Sequence, residues 1–378
     1  MRRLLVLAVL LGCGSSSSTT PGDDDDDGSG GGSAVGCDGT PLLANPSDLA
    51  APGPWPVGAR TVKVGGLTVE VWYPATPGSA EGKSPERYDI RTHLPPSEVP
   101  KIPDADNPWQ TCDCVRDLPL DDKHGPYPVV VFVHGTASFR HQSLHQTTHW
   151  ASRGFVVVAA DHPGLQLGDM LAMACGGSAP AQNLSGDIDA VIAALGQPAG
   201  DLAFLGGHID MTRVAITGHS AGASAAAGAA TKPGVKVVVS MAGNKATTTA
   251  SSLYLGGLAD SVVSWGQVKT AYDGAAKPRR LVGITDGGHL TFSDLCQTKN
   301  SSGKDLLQVA NDYQICGAQL ASFLFDCDPS HIAGPAGWDI VNYASSAVLE
   351  STLQCQPPVS LSSIKTTYSA VAEYNEAL

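Results

Sequence analysis

The chain has 378 residues, of which 42% are hydrophobic, and its formal net charge is −13. This hydrophobic content is enough to build a large buried core. Five of the negative charges lie in the run Asp23–Asp27. Because basic residues form no cluster, nucleic acid is not expected as a partner.

The N-terminus resembles an export signal. Arg2 and Arg3 precede the apolar run Leu4–Leu11, which is too short to span a membrane. The following residues, up to Cys13, resemble a bacterial lipobox, in which the cysteine becomes a lipidated N-terminus. We therefore expect an exported protein. It is either a lipoprotein of the bacterial cell envelope, anchored to the membrane at Cys13, or a secreted protein released by ordinary signal cleavage.

Composition divides the chain into three parts. Residues 1–13 are the expected signal peptide. Residues 14–36 are rich in Ser, Asp and Gly, so they are expected to form a disordered linker that buries no core. Residues 37–378 are then one folded domain, in which strands and helices alternate, a pattern typical of a parallel sheet.

The first buried strand is predicted at Pro128–Val133. This run is continuously apolar, as in a strand that is covered on both faces. The loop His134-Gly135-Thr136-Ala137 follows directly. Gly135 allows another backbone segment to approach closely, and His134 is expected to shape the loop.

Three histidines recur every four residues in a predicted helix over Arg140–Arg153. His141, His145 and His149 could share one face of that helix. Zinc sites of this kind need a further ligand, such as the H-E-x-x-H pattern supplies, and that pattern is absent. We therefore expect structural roles for these histidines, with no metal and no cofactor.

A second strand is predicted at Phe155–Ala160. The loop that follows it contains His162, at the sheet edge where open α/β proteins assemble their sites. His162 is a candidate substrate-binding residue, and ordering of its own loop is the alternative role.

The most informative motif is G-x-S-x-G at Gly218–Gly222. The strand-forming residues Val214–Thr217 precede it and an alanine-rich helix follows. This strand, sharp turn and helix form the context of a nucleophile elbow, which places Ser220 at the tip of the turn. His219 lies beside Ser220 and is a second candidate substrate-binding residue.

An acid and a base are expected after the next strands of the sheet. Strands are predicted at Val235–Met241, Ser252–Gly257 and Arg280–Ile284. Asp260 follows the second of these strands and His289 follows the third. A serine hydroxyl needs an imidazole as its base, and the imidazole needs a carboxylate that fixes its tautomer.

Two other aspartates compete with Asp260 for that role. Asp273 lies further along the chain, and Asp286 lies three residues before His289. A place on the same loop as the histidine favours a turn-forming role for Asp286. Strand placement favours Asp260.

Acyl-transfer chemistry also needs two N–H donors for a negatively charged oxygen. One donor comes from the residue after the nucleophile and the other from the loop after an earlier strand. The backbone N–H groups of Ala221 and Thr136 are the candidates for this oxyanion hole.

Nine cysteines fit an exported chain. If Cys13 is lipidated, eight remain, an even number that allows up to four disulfides in a pairing the sequence leaves open. Cys112 and Cys114 are only two residues apart, so each is expected to bond elsewhere. Their spacing also differs from the C-x-x-C of metal sites.

Three long segments lie outside a minimal α/β domain. They are residues 76–122, 164–183 and 294–334, and the last helix is predicted after them at Trp338–Leu353. Each segment contains cysteines, and any of the three could cover the site.

Several stretches together resemble the α/β-hydrolase family. The resemblance is to its platelet-activating-factor acetylhydrolases, dienelactone-hydrolase-like esterases and polyester hydrolases. It runs from about residue 54 to 295 and again from about 336 to 353. The matching motifs are Thr68–Ala75, Gly125–Pro128, Gly154–Gly164, Gly218–Gly222 and Gly288–Cys296.

The resemblance implies an α/β-hydrolase fold with a mostly parallel central sheet and helices on both faces. It also implies a serine esterase whose catalytic triad is Ser220, Asp260 and His289. The small residues Thr136 and Ala221 stand where many members carry large ones, which suggests a roomy site. Dienelactone hydrolases proper use a cysteine nucleophile, and the serine here argues against that chemistry.

The expected function is hydrolysis of carboxylic esters through an acyl-enzyme. Short-chain acyl esters, short-acyl phospholipids and polyesters are the candidate substrates. A peptidase or an acyltransferase with the same triad is the alternative enzyme. A non-catalytic surface lipoprotein on a hydrolase scaffold is the alternative from another class.

Overall fold

The structure is a computed structural model that describes residues 32–378 except Thr249, Ser322, Phe323 and Asp326. The expected signal peptide, Cys13 and most of the expected linker lie outside the described residues. None of the described helices is both long and apolar enough to cross a membrane.

Most of the strands belong to one sheet. In chain order they are β1 (Ser33–Val35), β2 (Pro41–Leu43), β3 (Val57–Val64), β4 (Leu67–Pro74), β5 (Arg87–Tyr88), β6 (Gln110–Thr111), β7 (Val115–Arg116), β8 (Tyr127–Val133), β9 (Val156–Ala160), β10 (Ile209–His219), β11 (Val235–Met241), β12 (Ser251–Gly257), β13 (Arg279–Ile284) and β14 (Val371–Ala377).

The helices alternate with the strands of the sheet centre. They are α1 (Leu144–Ser152), α2 (Leu167–Ala174), α3 (Leu184–Gly196), α4 (Ala221–Gly228), α5 (Trp265–Gly274), α6 (Leu306–Asp312), α7 (Ala318–Ala321), α8 (Gly334–Leu353) and α9 (Ile364–Thr367). Single 3₁₀ turns lie at Cys37–Gly39, Ile90–His93, Val99–Lys101, Gly200–Leu205, His289–Phe292 and Leu361–Ser363.

The main sheet has ten strands in the order β14-β13-β12-β11-β10-β8-β9-β4-β3-β7. The six central strands, from β13 to β9, pair in parallel. Antiparallel pairs join β14 to β13, β9 to β4 and β4 to β3. The crossover connections of a parallel sheet run over its two faces, so both faces are covered.

Alternate residues of the central strands face two different layers. Val237 and Val239 of β11 belong to the core layer that includes α1 and α8. Val238 belongs to the opposite layer, with α3 and α4. Tyr254 of β12 packs with α5. Helices therefore cover both faces, and the parallel strands present their C-terminal ends at one edge of the sheet.

The apolar runs predict the buried strands to within one residue at each end. The strands predicted at 128–133, 155–160, 235–241, 252–257 and 280–284 correspond to β8, β9, β11, β12 and β13. The helix predicted at 140–153 is shorter, because residues 140–143 form a loop held by side-chain contacts, and α1 begins at Leu144.

The folded part begins before the expected boundary at residue 37. Ser33–Val35 forms β1, which pairs with Pro41–Leu43 across a turn. A disulfide joins Cys37 in that turn to Cys355, just after α8. The Gly- and Ser-rich composition predicts disorder here, but backbone pairing and the crosslink hold these residues against the domain.

Four disulfides use all eight cysteines from Cys37 onward. The pairs are Cys37–Cys355, Cys112–Cys114, Cys175–Cys316 and Cys296–Cys327. The prediction that Cys112 and Cys114 bond elsewhere is wrong. With one residue between them, their Cα atoms lie 5.1 Å apart, within the range that a disulfide spans.

The three long segments meet in one apolar cluster beside the sheet edge. Ile90 and Ile102 come from the first segment, Leu167 and Leu171 from the second, and the third contributes Leu295, Val309, Ile315 and Ala318. Disulfides join Cys175 to Cys316 and Cys296 to Cys327 within this region. The segments therefore form one packed unit.

Candidate active site

Ser220 lies in a strained turn between β10 and α4. Its φ is +58°, in the left-handed region that non-glycine residues rarely adopt. The flanking glycines are required by space: a Cβ on Gly218 would lie 2.5 Å from the carbonyl carbon of Gly222. A Cβ on Gly222 would lie 2.1 Å from the carbonyl oxygen of Val133. The G-x-S-x-G pattern thus corresponds to a sharp strand-to-helix turn.

The structure brings Ser220, His289 and Asp260 together. Nε2 of His289 lies 3.0 Å from Oγ of Ser220, and Nδ1 lies 2.9 Å from Oδ2 of Asp260. The imidazole and the carboxylate are both buried. Because a carboxylate only accepts hydrogen bonds, Nδ1 carries the proton and Nε2 accepts from the serine hydroxyl.

The competing aspartates lie elsewhere. Asp273 belongs to α5. Asp286 has a φ of +53°, and its carbonyl oxygen accepts a hydrogen bond from the N–H of Ile332, so it forms part of a turn. Of the three candidates, Asp260 is the carboxylate within hydrogen-bond distance of His289.

Two backbone N–H groups beside Ser220 have no acceptor among the described residues. In the loop after β8, Gly135 N–H donates to Gln142 and Ala137 N–H donates to the carbonyl of Leu165, but Thr136 N–H does not donate to any described group. Ala221 N–H, at the start of α4, is in the same situation. Acyl-transfer chemistry requires two such N–H donors for a negatively charged oxygen.

The loop after β8 touches the elbow directly. A Cβ on Gly135 would lie 3.3 Å from Cβ of Ser220 and 3.0 Å from Nδ1 of His219.

A second contact fixes the far end of the loop after β8. Asp161 accepts a hydrogen bond from Arg140 N–H at 2.9 Å and forms an ion pair with the Arg140 side chain. Burial raises the pKa of Asp161, but the charges of Arg140 and neighbouring groups together with the hydrogen bond from Arg140 N–H outweigh burial, and the pKa falls to about 2.

His134 and His162 order the neighbouring loops. Nδ1 of His134 donates to the carbonyl of Gly135 at 2.8 Å, and its Nε2 accepts from His162 N–H at 3.1 Å. Burial lowers the pKa of His134 to about 4, so its ring is neutral near pH 7. The His162 side chain contacts Asp187 at 3.0 Å and does not line the cavity beside Ser220.

That cavity is narrow: its interior volume is about 20 Å³, little more than the space of one water molecule. His219 lines it, as does the apolar group Leu290, Leu295, Leu324 and Phe325. The roomy site suggested by the small side chains of Thr136 and Ala221 is therefore not observed. Apolar residues of the third long segment occupy the space instead.

A second, larger cavity of about 60 Å³ lies among the three long segments. Apolar side chains dominate its lining, including Ile90, Leu167, Leu171, Leu306 and Phe325. Phe325 lines both cavities. The two spaces are thus neighbours that share one aromatic ring as part of their walls.

The histidines of the predicted metal-like pattern point to different partners. His141 stacks on Tyr88, and His149 contacts the hydroxyl of Ser346 at 2.9 Å. His145 packs against the ring of Trp338. Within the described residues, no group of three or more His, Cys, Asp or Glu side chains is placed to hold a metal ion.

Sequence reasoning missed two residues of this site. Gln142 lies inside the segment that was predicted to be helical, so its contact with Gly135 could not be foreseen from periodicity. Phe325 lies in an insertion without any motif. The only sequence signal for Gln142 is its position seven residues after Gly135, within reach of the same loop.

Comparisons with known proteins agree with this architecture. The family model of platelet-activating factor acetylhydrolase, isoform II, matches residues 108–165, a segment that contains β8, the Thr136 loop and α1. A solved structure of a ferulic acid esterase from Streptomyces cinnamoneus is similar with a TM-score of 0.56 and 17% sequence identity. The match covers 83% of this chain and 94% of that one. A search of curated proteins finds no significant match. The structural likeness confirms the predicted α/β-hydrolase fold.

Proposed function

We propose that this protein is a serine carboxylic-ester hydrolase that acts through an acyl-enzyme. The observation that carries the proposal is the uninterrupted contact from Ser220 through His289 to Asp260, at 3.0 and 2.9 Å. The matched acetylhydrolase family model and the esterase named among the similar structures support the same reaction class.

In the proposed first step, His289 Nε2 accepts the hydroxyl proton of Ser220 while Oγ attacks the ester carbonyl carbon. The imidazolium that forms is stabilised by the buried carboxylate of Asp260. His289 then gives the proton to the departing alcohol, which leaves an acyl group on Ser220. In the second step His289 takes a proton from water, whose oxygen attacks the acyl carbon, and then returns this proton to Oγ of Ser220 as the bond to the acyl group breaks and the carboxylic acid leaves.

The carbonyl oxygen becomes negatively charged in both steps. We propose that the N–H groups of Thr136 and Ala221 donate hydrogen bonds to this oxygen, since neither group has an acceptor among the described residues. Such donors stabilise the transition state more than the bound ester, so they raise kcat rather than substrate affinity.

The substrate class follows from the shape of the site. The narrow cavity beside Ser220 favours a short acyl group over a long one. Short-chain esters and short-acyl phospholipids carry a short acyl group, and polyesters present a short acyl unit in each repeat. The apolar wall formed by Leu295 and Phe325 favours an uncharged acyl group over a charged one.

We also propose that the protein acts outside the cytoplasm. Four disulfides are typical of an oxidising compartment. The signal sequence at residues 1–13 would direct export, and a lipid anchor at Cys13 would attach the catalytic domain through the linker. Secretion after ordinary cleavage is the other outcome of the same signal.

The test is hydrolysis of p-nitrophenyl esters from acetyl to dodecanoyl by the exported chain and by Ser220→Ala. Ser224→Ala is the matched control. Ser224 lies one turn further along α4, where its hydroxyl contacts Asn244 at 2.9 Å. We expect activity to fall to background in Ser220→Ala only. Activity that survives this change, or no activity in the unchanged protein, would overturn the proposal.

A further inference from the structure

We propose that Gln142 is a positioning residue that fixes the oxyanion loop, the elbow and the His289 loop relative to one another, using His219 as its intermediate. This inference rests on the proposed ester hydrolysis and adds two residues to its machinery. Neither residue needs to touch the reacting atoms for this role.

The side chain of Gln142 bridges the first two of these segments. Oε1 accepts a hydrogen bond from Gly135 N–H at 2.8 Å, and Nε2 lies 2.5 Å from Nδ1 of His219. Gln142 is fully buried. Because a backbone N–H only donates, the amide oxygen must face Gly135, and the amide nitrogen must then face His219.

His219 continues the contact to the third segment. Its Nδ1 accepts from Gln142, and its Nε2 donates to the carbonyl oxygen of His289 at 2.9 Å. Burial lowers the pKa of His219 well below its ordinary value, which agrees with a neutral ring in one defined tautomer. Both ring nitrogens are occupied, so only the ring face of His219 remains for contact with substrate.

The three hydrogen bonds form one chain in a single direction. It begins at Gly135, passes through Gln142 and His219, and ends at His289. Gly135 directly precedes Thr136, and His219 directly precedes Ser220. This series of hydrogen bonds therefore fixes three backbone positions together: the one before the oxyanion donor Thr136, the one before the nucleophile Ser220, and that of the base His289. Sites of this kind need their groups held to within about 0.5 Å.

A second buried glutamine provides a contrast on the same stretch of chain. Gln146 lies four residues further on, in α1, and is also fully buried. Neither polar atom of its side chain has a hydrogen-bond partner in the described part of the chain. Burial of a glutamine thus does not by itself produce the connection that Gln142 makes.

The experiment compares Gln142→Leu, Gln142→Glu and the matched control Gln146→Leu. Kinetics on p-nitrophenyl acetate are measured together with thermal unfolding. We expect Gln142→Leu to lower kcat by about 10- to 100-fold with little change in KM, because the affected donors act mainly in the transition state. We expect Gln146→Leu to retain kcat.

Gln142→Glu gives a readout that a purely structural role would not produce. A protonated carboxyl group can accept from Gly135 and donate to His219, as the amide does, whereas an ionised carboxylate cannot donate. We therefore expect kcat relative to the unchanged protein to be nearly normal at low pH and to fall as pH rises. This measurement also holds if Gln142→Leu fails to fold.

Two results would overturn the inference while the proposed function stands. One is wild-type kcat in Gln142→Leu, and the other is a ratio of kcat values for Gln142→Glu that does not change with pH. Absence of Ser220-dependent activity in the unchanged protein would instead overturn the proposed function, and this inference with it.

Discussion

The two carboxylate oxygens of Asp260 have different partners: one contacts His289, and the other accepts hydrogen bonds from the backbone turn that follows Asp260. Oδ2 lies 2.9 Å from Nδ1 of His289, while Oδ1 accepts hydrogen bonds from the N–H groups of Val262 and Val263, both at 2.8 Å. The orientation of the carboxylate is therefore set by the loop that carries it. His289 meets an acceptor whose position is already fixed.

This arrangement predicts a large effect of Asp260→Asn. The two backbone N–H groups will retain the amide oxygen, so the amide NH₂ will face Nδ1 of His289. The imidazole must then accept at Nδ1 and carry its proton at Nε2, where it can no longer take the proton of Ser220. We expect kcat for p-nitrophenyl acetate to fall by about 10³- to 10⁴-fold with the fold retained.

Asp286→Asn is the matched control for this change. Asparagine tolerates the left-handed backbone that Asp286 adopts, so the turn should be preserved. We expect less than about a threefold change in kcat, within the scatter of surface substitutions. A large loss in Asp286→Asn with little loss in Asp260→Asn would contradict the proposed assignment of the acid.

The sheet and the three residues that meet at its edge could be predicted because local signals determine them. The continuous apolar run Pro128–Val133 is typical of a strand with both faces covered, and its ends agree with the structure to within one residue. The glycines around Ser220 are required by close backbone contacts. Strand ends then restrict where Asp260 and His289 can lie.

Other features depend on contacts between distant segments and have no local signal. Phe325 lines both cavities only because three insertions pack together. The Cys112–Cys114 bond needs a local bend that spacing alone does not predict. Gln142 becomes significant only when Gly135 and His219 lie on either side of it.

Phe325 is predicted to limit the acyl chain. Its ring lines the narrow cavity beside Ser220 and the larger apolar cavity among the three long segments. Phe325→Ala should join the two spaces and allow a longer chain to be buried. Each buried methylene contributes about 0.8 kcal/mol. We expect the ratio of kcat/KM for octanoyl over acetyl esters to rise by about tenfold or more.

Leu306→Ala is the control for chain length. Leu306 lines the larger cavity but not the cavity beside Ser220, so its truncation adds space without opening a passage. The ratio of octanoyl to acetyl activity should then stay within about twofold of the unchanged protein, since a change in this remote wall leaves the acyl site intact. Equal shifts in both variants would show that Phe325 does not separate the two spaces.

Two of the disulfides are predicted to have different roles: one shapes the substrate cavity, and the other stabilises the fold. Cys296–Cys327 lies close in sequence to Leu295 and Phe325, which form the wall of the cavity beside Ser220. Cys37–Cys355 ties the N-terminal turn to the end of α8, away from that wall. Replacing the first pair by serine should raise KM, measured well below the unfolding temperature.

Replacing Cys37 and Cys355 by serine should instead lower Tm by several degrees and leave kcat and KM unchanged, because this crosslink constrains chain ends. The two double variants are matched, since each loses one disulfide and gains two serines. Unchanged KM in the Cys296/Cys327 variant would contradict a role of that disulfide in shaping the cavity.

Acid sensitivity of the fold is predicted to depend partly on Asp161. Burial raises the pKa of this carboxyl, but Arg140 and neighbouring groups outweigh burial and lower it from 3.8 to about 2. Since the folded-state pKa is below the unfolded one, the pair stabilises the fold above about pH 4. This contribution is lost as pH falls from about 4 to about 2, and it amounts to about 2 kcal/mol.

The measurement is urea unfolding at pH 7, 4, 3 and 2 for the unchanged protein and for Asp161→Asn. The variant should be less stable at pH 7 because Arg140 loses its ion pair at this site. Its free energy of unfolding should also decrease less between pH 4 and pH 2. Carboxylates remote from Arg140 should titrate alike in both proteins and cancel in the difference, whereas Glu70, whose Oε2 lies 3.6 Å from Nε of Arg140, contacts the same guanidinium and contributes to the difference.

Asp189→Asn serves as the comparison, because Asp189 forms an exposed ion pair with Lys232. Such pairs contribute at most about 1 kcal/mol, so the stability of this variant should follow the unchanged protein at every pH. If Asp161→Asn kept the full decrease between pH 4 and pH 2, the low pKa of Asp161 would be wrong. The hydrogen bond from Arg140 N–H to Asp161 would then have to hold the oxyanion loop without a substantial contribution from charge.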